Sequence, residues 1–207
     1  MHELTERRSE GFLAAVPTSS NLQRRRNVYD ARQGWSLPGK LVMAEHKKRS
    51  LDNHVNEAYD GAGATYDFYA SVFGRNSIDD RGLRLDSTVH YGVRFDNAMW
   101  NGRQLVYGDG DGRLFNRFTS AIDVIGHELT HGVTQYSSGL GYNDETGALN
   151  EHLSDAFGIM VKQHRLAQTA EESDWIIGVG LFGTLVQGKG VRSMAAPGTA
   201  YDDPILG

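Results

Sequence analysis

Between residues 120 and 165 the chain holds two stretches of helical periodicity broken by Gly139-Leu140-Gly141, and no other feature restricts the fold as much. In SAIDVIGHELTHGVTQYSSG, Ile122, Ile125, Leu129 and Val133 recur at intervals of three and four. Thr119 or Ser120 is the expected N-cap, and Gly139 falls just past the end. From about Gly147 to Arg165, Leu149, Leu153, Ala156, Phe157, Met160 and Val161 form the expected buried stripe of a second helix. The glycines between them let the chain reverse, so the two helices are expected side by side.

That arrangement gives a meaning to the polar residues. His127 and His131 stand at i and i+4, on one helix face and one turn apart, so both imidazoles can reach one ion. Glu128 is offset by one residue, near enough to touch a metal-held water without ligating. A catalytic zinc takes three protein ligands and keeps one open position. With no cysteine in the chain, the third ligand is His, Asp or Glu, and Glu151 on the second helix is the best candidate. Asp155, four residues on, shares its face and is placed to orient a ligand histidine through the free ring nitrogen; a helix-surface charge is the plainer reading, but its place amid Ala156 and Phe157 favours a partnered, half-buried role. In such a site Glu128 would act as general base and then acid, and Tyr142 in the connecting loop would stabilise an oxyanion or simply pack over the helices. Asp123, in the first turn, reads equally as a helix-dipole partner or a calcium ligand. His152 points away from Glu151. His2, His46, His54, His90 and His164 lack ligand spacing and are read as having no function.

Upstream the chain is expected to be mixed. Residues 1–27 are polar and end in PTSSNLQRRRN, a leader or linker. VNEAYDGAGATYDFYASVFG carries Val55, Ala58, Tyr59, Ala62, Tyr66, Phe68, Tyr69 and Phe73 at mostly helical intervals. Val89, Tyr91, Val93 and Phe95 alternate as in a strand, and Asn101-Gly102 marks a hairpin turn. Asn97 and Ala98, on a strand over Phe95 to Trp100, would pair with an extended peptide backbone; the plainer reading is a hairpin with Trp100 in the core. The last forty residues read as strands, turns and loops. The net charge of -5 argues against nucleic acid as partner, and no apolar run approaches a membrane span.

The ordered set DNAMWNG, VYGDGDG, AIDVIGHELTHGVTQYSSGLGY, GALNEHLSDAFG and VRSM resembles the thermolysin family of zinc metalloendopeptidases, family M4. RNVYDA, VNEAYDGAGATYDFY and LFNRFTSAIDVIGHEL resemble its protealysin-like branch. The resemblance implies an α+β fold, a twisted and mostly antiparallel sheet followed by the HExxH helix and a second zinc-ligand helix. It implies residues 1–27 as a propeptide remnant and 28–207 as the N-terminal zinc-binding catalytic domain. It implies His127, His131 and Glu151 as zinc ligands, Glu128 as base, Tyr142 as transition-state tyrosine, Asp155 and Asn150 as partners of the histidines, and Asn97, Ala98 and Arg192 as substrate contacts. The implied reaction is zinc-dependent hydrolysis of peptide bonds before bulky hydrophobic residues. Secretion is implied too, although no signal peptide is visible, with the cytoplasm as alternative.

Two departures qualify what the resemblance implies. The family's double calcium site uses later acids whose positions here hold Lys162, Asp174, Ile176 and Val179, so that site is expected to be absent, with Lys162 pairing with Asp123. The family also continues into a helical domain that supplies the other wall of the cleft. With the chain stopping at DDPILG, that domain is expected to be a missing partner, and the fragment weakly active or inactive. The alternative function is a truncated zinc-containing module that holds peptides without cutting them.

Overall fold

In the computed structural model, residues 22–206 are described. Most of the expected leader lies outside them. Arg26 and Asn27 already belong to β1 (Arg26–Asp30), and the Arg26 guanidinium is buried against Glu45 at 2.6 Å and over the Tyr59 ring at 3.6 Å.

β1 and β2 (Lys40–Ala44) form a hairpin, α1 (Asn53–Phe73) crosses the sheet, and β3 (Leu85–Val89) returns beside β1. β4 (Ala98–Trp100) and β5 (Leu105–Tyr107) complete a sheet of order β2-β1-β3-β5-β4. The sheet is mixed rather than mostly antiparallel: β1–β3 and β3–β5 are parallel, β1–β2 and β4–β5 antiparallel. An intervening edge strand is the cause: β2 lies between β1 and β3 in the chain and β4 between β3 and β5, so the direction is reversed twice and restored.

α1 follows the predicted helix closely. Asp52 caps it by accepting from the His54 amide at 2.9 Å, and Gly74 ends it in the left-handed region at φ 66°. Its internal glycine Gly61 is a packing requirement, because a Cβ there would collide with the Ile125 side chain. The alternation over residues 89–95 is not a strand. β3 stops at Val89, and His90, Gly92 and Arg94 all have positive φ, which no ladder tolerates. Tyr91 and Phe95 are apolar for another reason: they pack edge-on against Trp35.

α2 (Ile122–Ser137) and α3 (Asp144–Leu166) lie side by side after a 3-10 turn over Phe118–Ser120. Neither Thr119 nor Ser120 caps α2. Ala121 holds that position without a side-chain bond, while the Thr119 hydroxyl donates to Glu57 at 2.8 Å. α3 buries only part of the expected stripe: Val161 is buried, with Phe157 and Met160 packed partly buried beside it. Leu149 is 47% exposed, and Gly147, Asn150, Ser154 and Gly158 turn inward instead. At Gly158 a Cβ would sit 2.5 Å from the Asp123 carbonyl oxygen, so the glycine sets how closely the two backbones approach. β6 (Ile176–Ile177) and β7 (Arg192–Ser193) form a small antiparallel ladder beyond α3. No helix among the described residues is long and apolar enough to cross a membrane.

Candidate metal centre

His127 and His131 leave α2 on the side facing α3, with rings 4.6 Å apart and nearly perpendicular. Each Nδ1 is taken by a residue of α3. His127 Nδ1 bonds Asp155 Oδ1 at 2.8 Å, and His131 Nδ1 bonds Asn150 Oδ1 at 2.9 Å with the Ser154 hydroxyl at 3.1 Å. An Nδ1–H donated to these oxygens leaves each Nε2 with its lone pair, and the two Nε2 atoms face one another at 3.0 Å. Glu151 closes the group, its oxygens 3.3 Å from His127 Nε2 and 3.4 Å from His131 Nε2.

Two imidazole nitrogens and a carboxylate converging at these separations fit a tetrahedral zinc, whose ligands at bond lengths of about 2.0–2.1 Å stand ~3.3 Å from each other. The donor chemistry agrees, with no thiolate and an orienting partner behind each ring. Burial alone would raise the Asp155 carboxyl, but the bonds from His127 and from Arg192 (2.6 and 2.7 Å) hold it down at about 2. Glu128 stands beside the donors, with a carboxylate oxygen within 4.8 Å of a ring nitrogen of each histidine. Its burial pushes its pKa up to about 7.

These residues line a cleft of about 450 Å³ whose walls also include Asn97, Ala98, Tyr142 and Arg192. Asn97 is exposed and Ala98 opens β4, one of the two edge strands of the sheet. Tyr142 is 58% exposed, its ring 5.4 Å from that of His131. The structure thus gathers all ten expected site residues, Asp155 and Asn150 one layer behind the rest. Phe115, Phe118, Val124, Ile177, Leu181 and Val191 give the cleft an apolar side. Asp123 lies elsewhere on α2, buried, its carboxylate 3.3 Å from Lys162 Nζ, which also meets Asp174 at 2.8 Å. Burial raises the Asp123 pKa.

Sequence reasoning missed two contributors. Glu128 Oε2 accepts from the Trp100 amide at 2.8 Å, and a backbone donor leaves no sequence signal. Ser154 was within reach, because the i, i+4 spacing that joins Glu151 to Asp155 joins Asn150 to Ser154 as well.

Comparison with known proteins supplies the context. The family model described as thermolysin metallopeptidase, catalytic domain, matches residues 15–135, and that of the thermolysin metallopeptidase alpha-helical domain matches residues 138–205. An extracellular metalloprotease of Pectobacterium carotovorum subsp. carotovorum is 56% identical over 185 residues, covering 89% of this chain and 53% of the relative. Protease PrtS of Photorhabdus sp. (strain Az29) is 50% identical, covering 88% of this chain and 49% of that one. The solved precursor of protealysin, a metalloproteinase from Serratia proteamaculans, superposes with a TM-score of 0.89 at 55% identity, covering 94% of this chain and 61% of that chain. The chain therefore spans about half the length of the curated relatives it matches.

The second family match corrects the expectation that the C-terminal helical domain is absent and a missing partner. Its match begins at residue 138, so α3 and everything after it fall within it. The donor set straddles the two matches, His127 and His131 in the first, Asn150, Glu151 and Asp155 in the second. Taking 28–207 as one N-terminal domain, because α3 completes the site, hid that boundary.

Proposed function

Because the chain belongs to the thermolysin metallopeptidase family, we propose that it forms the zinc-bearing part of an endopeptidase that cleaves peptide bonds before bulky hydrophobic residues. The observation that carries this reading is the convergence of two imidazole Nε2 atoms and Glu151 beside a buried Glu128, open to a cleft edged by β4. Zinc held by His127, His131 and Glu151 would supply Lewis acidity, polarising a carbonyl and acidifying water.

The chain's own groups do the rest. Glu128, poised near 7 by burial, takes the proton of the attacking water and passes it to the departing amine. The Trp100 amide fixes one of its oxygens and leaves the other free for that transfer. The Tyr142 hydroxyl and the Arg192 guanidinium stand at the cleft to stabilise charge on the carbonyl oxygen. Asn97 and Ala98 present the edge of β4 to an extended substrate. The apolar wall from Phe115 to Val191 accepts the side chain that follows the scissile bond. Action outside the cell belongs to the same reading, supported by a relative named as an extracellular metalloprotease.

The test is hydrolysis of internally quenched peptides by the zinc-loaded protein, with Leu, Phe or Gly after the scissile bond. Cleavage is expected for Leu and Phe over Gly, and Glu128→Gln is expected to lower kcat by about 10²–10⁴ while zinc content stays constant. Full activity in Glu128→Gln would overturn the assignment. Tight peptide binding with no cleavage would point to a zinc-containing peptide-binding module instead.

A further inference from the structure

A second group of histidines and carboxylates lies outside the cleft. Asp52 caps α1, His54 is in its first turn, His90 directly follows β3, and Asp109 follows β5. All four are half-buried. His90 Nε2 meets Asp52 Oδ2 at 2.8 Å, and His90 Nδ1 meets Asp109 Oδ1 at 2.8 Å. His54 Nδ1 lies 3.2 Å from Asp52 Oδ1, His54 Nε2 lies 3.6 Å from Asp109 Oδ1, and the two rings are 4.5 Å apart. One donor atom from each of Asp52, His54 and His90 falls within 4.8 Å of the others, as it does for His127, Glu128 and His131.

We propose that Asp52, His54 and His90 bind a divalent cation of the Zn²⁺ or Co²⁺ kind, with Asp109 orienting His90. The parallel with the HELTH site is specific. There Asp155 holds His127 by Nδ1 and turns Nε2 towards Glu151; here Asp109 holds His90 by Nδ1 and turns Nε2 towards Asp52. That is the carboxylate–imidazole–metal arrangement. The 3.2 Å from His54 Nδ1 to Asp52 Oδ1 is close to the ~3.3 Å expected between ligands of one tetrahedral zinc.

Two carboxylates face the two rings, and a divalent cation that took the place of the proton between His90 Nε2 and Asp52 would balance both of them. Two imidazole donors favour a borderline metal over calcium, which takes six to eight oxygens. His90 also adopts φ 53°, a strained value for a non-glycine residue, and that backbone is what turns its ring into the cluster. An ion here would join the start of α1 to the loops after β3 and β5. The second loop holds the approach to β4, through Gly108 N donating to Asn97 O at 2.9 Å, so the site would brace the edge of the cleft.

The test separates the two centres. In a His127→Ala/His131→Ala variant, Co²⁺ titration followed by visible absorption and by elemental analysis after gel filtration is expected to give one bound ion per chain, against two in the parent. Adding His54→Ala, which keeps the backbone amide that Asp52 caps, is expected to remove the remaining ion. His54→Ala alone should reduce the parent from two to one. A double variant that folds, by circular dichroism, and binds no Co²⁺ overturns the proposal, as does a His54→Ala protein that still binds two. A parent with one ion, lost in His54→Ala and kept in the double variant, would uphold this site and refute the one at His127.

Discussion

The α2–α3 interface holds two charged clusters that solve the same problem differently. Near the start of α2, buried Asp123 finds its countercharge inside the chain, in the Lys162 ammonium, which also takes Asp174 and the Ile176 carbonyl at 3.0 Å. One turn on, His127, His131 and Glu151 turn their lone pairs towards one point at which no lysine or arginine among the described residues sits. The first cluster is closed. The second has its outer hydrogen bonds made, by Asp155 and Asn150, and its inner ones left open, which is how a ligand site differs from a structural ion pair.

Breaking the closed cluster should have the largest effect on stability. Lys162→Met would strand a buried carboxylate, at a cost of about 3–5 kcal/mol, which lowers Tm by roughly 10 °C for a chain of this size. Thermal unfolding followed by circular dichroism measures it. Because burial raises the Asp123 pKa, protonation relieves the variant. A raised folded-state pKa means stability is present at low pH and lost as pH rises, so the variant's deficit should shrink at pH 5 and widen at pH 8. Asp123→Asn added to Lys162→Met should restore most of the loss. A deficit below about 1 kcal/mol would show that the pair is not the closed cluster its geometry suggests.

In the open cluster the expected effect is on affinity and is smaller. Asp155→Asn keeps the shape but removes the charge that orients His127 and anchors Arg192, and should weaken zinc binding by about 10–100-fold. Competition with a chelator reads this directly. A loss under threefold would mean that ring orientation is set by packing alone.

What the sequence made visible follows from what its patterns record. The i, i+4 spacings of His127 with His131 and of Glu151 with Asp155 are geometric consequences of a helix, so those residues could be placed before the fold was known. Hydrophobic periodicity failed where burial is not hydrophobic. The inner face of α3 is Gly147, Asn150, Ser154 and Gly158, because a polar site pressed against a close-approaching helix needs small and hydrogen-bonding residues, and Leu149 was left outside. It failed again at Tyr91 and Phe95, whose alternation reports packing on Trp35 from a loop. His54 and His90 looked idle because the cluster is gathered from three separate segments, around residues 52–54, 90 and 109, and a cluster assembled by tertiary structure has no spacing to read.

The smallest effect expected is that of added calcium, and it sharpens the comparison most cheaply. An ion that bound the folded chain at 100 times its Kd would stabilise it by about 2.7 kcal/mol. At Asp123 the favourable position is already held by an ammonium 3.3 Å from one carboxylate and 2.8 Å from another, and a cation entering there must displace a tethered lysine. Millimolar calcium should therefore shift Tm by less than about 1 °C. In Lys162→Ala, where both carboxylates lose their shared partner and space opens between them, the same calcium should produce a larger stabilisation. If the parent instead gains several degrees, Lys162 is displaceable and the two clusters are both open. If neither protein responds, the cavity has the charge for calcium but too few oxygens to hold it.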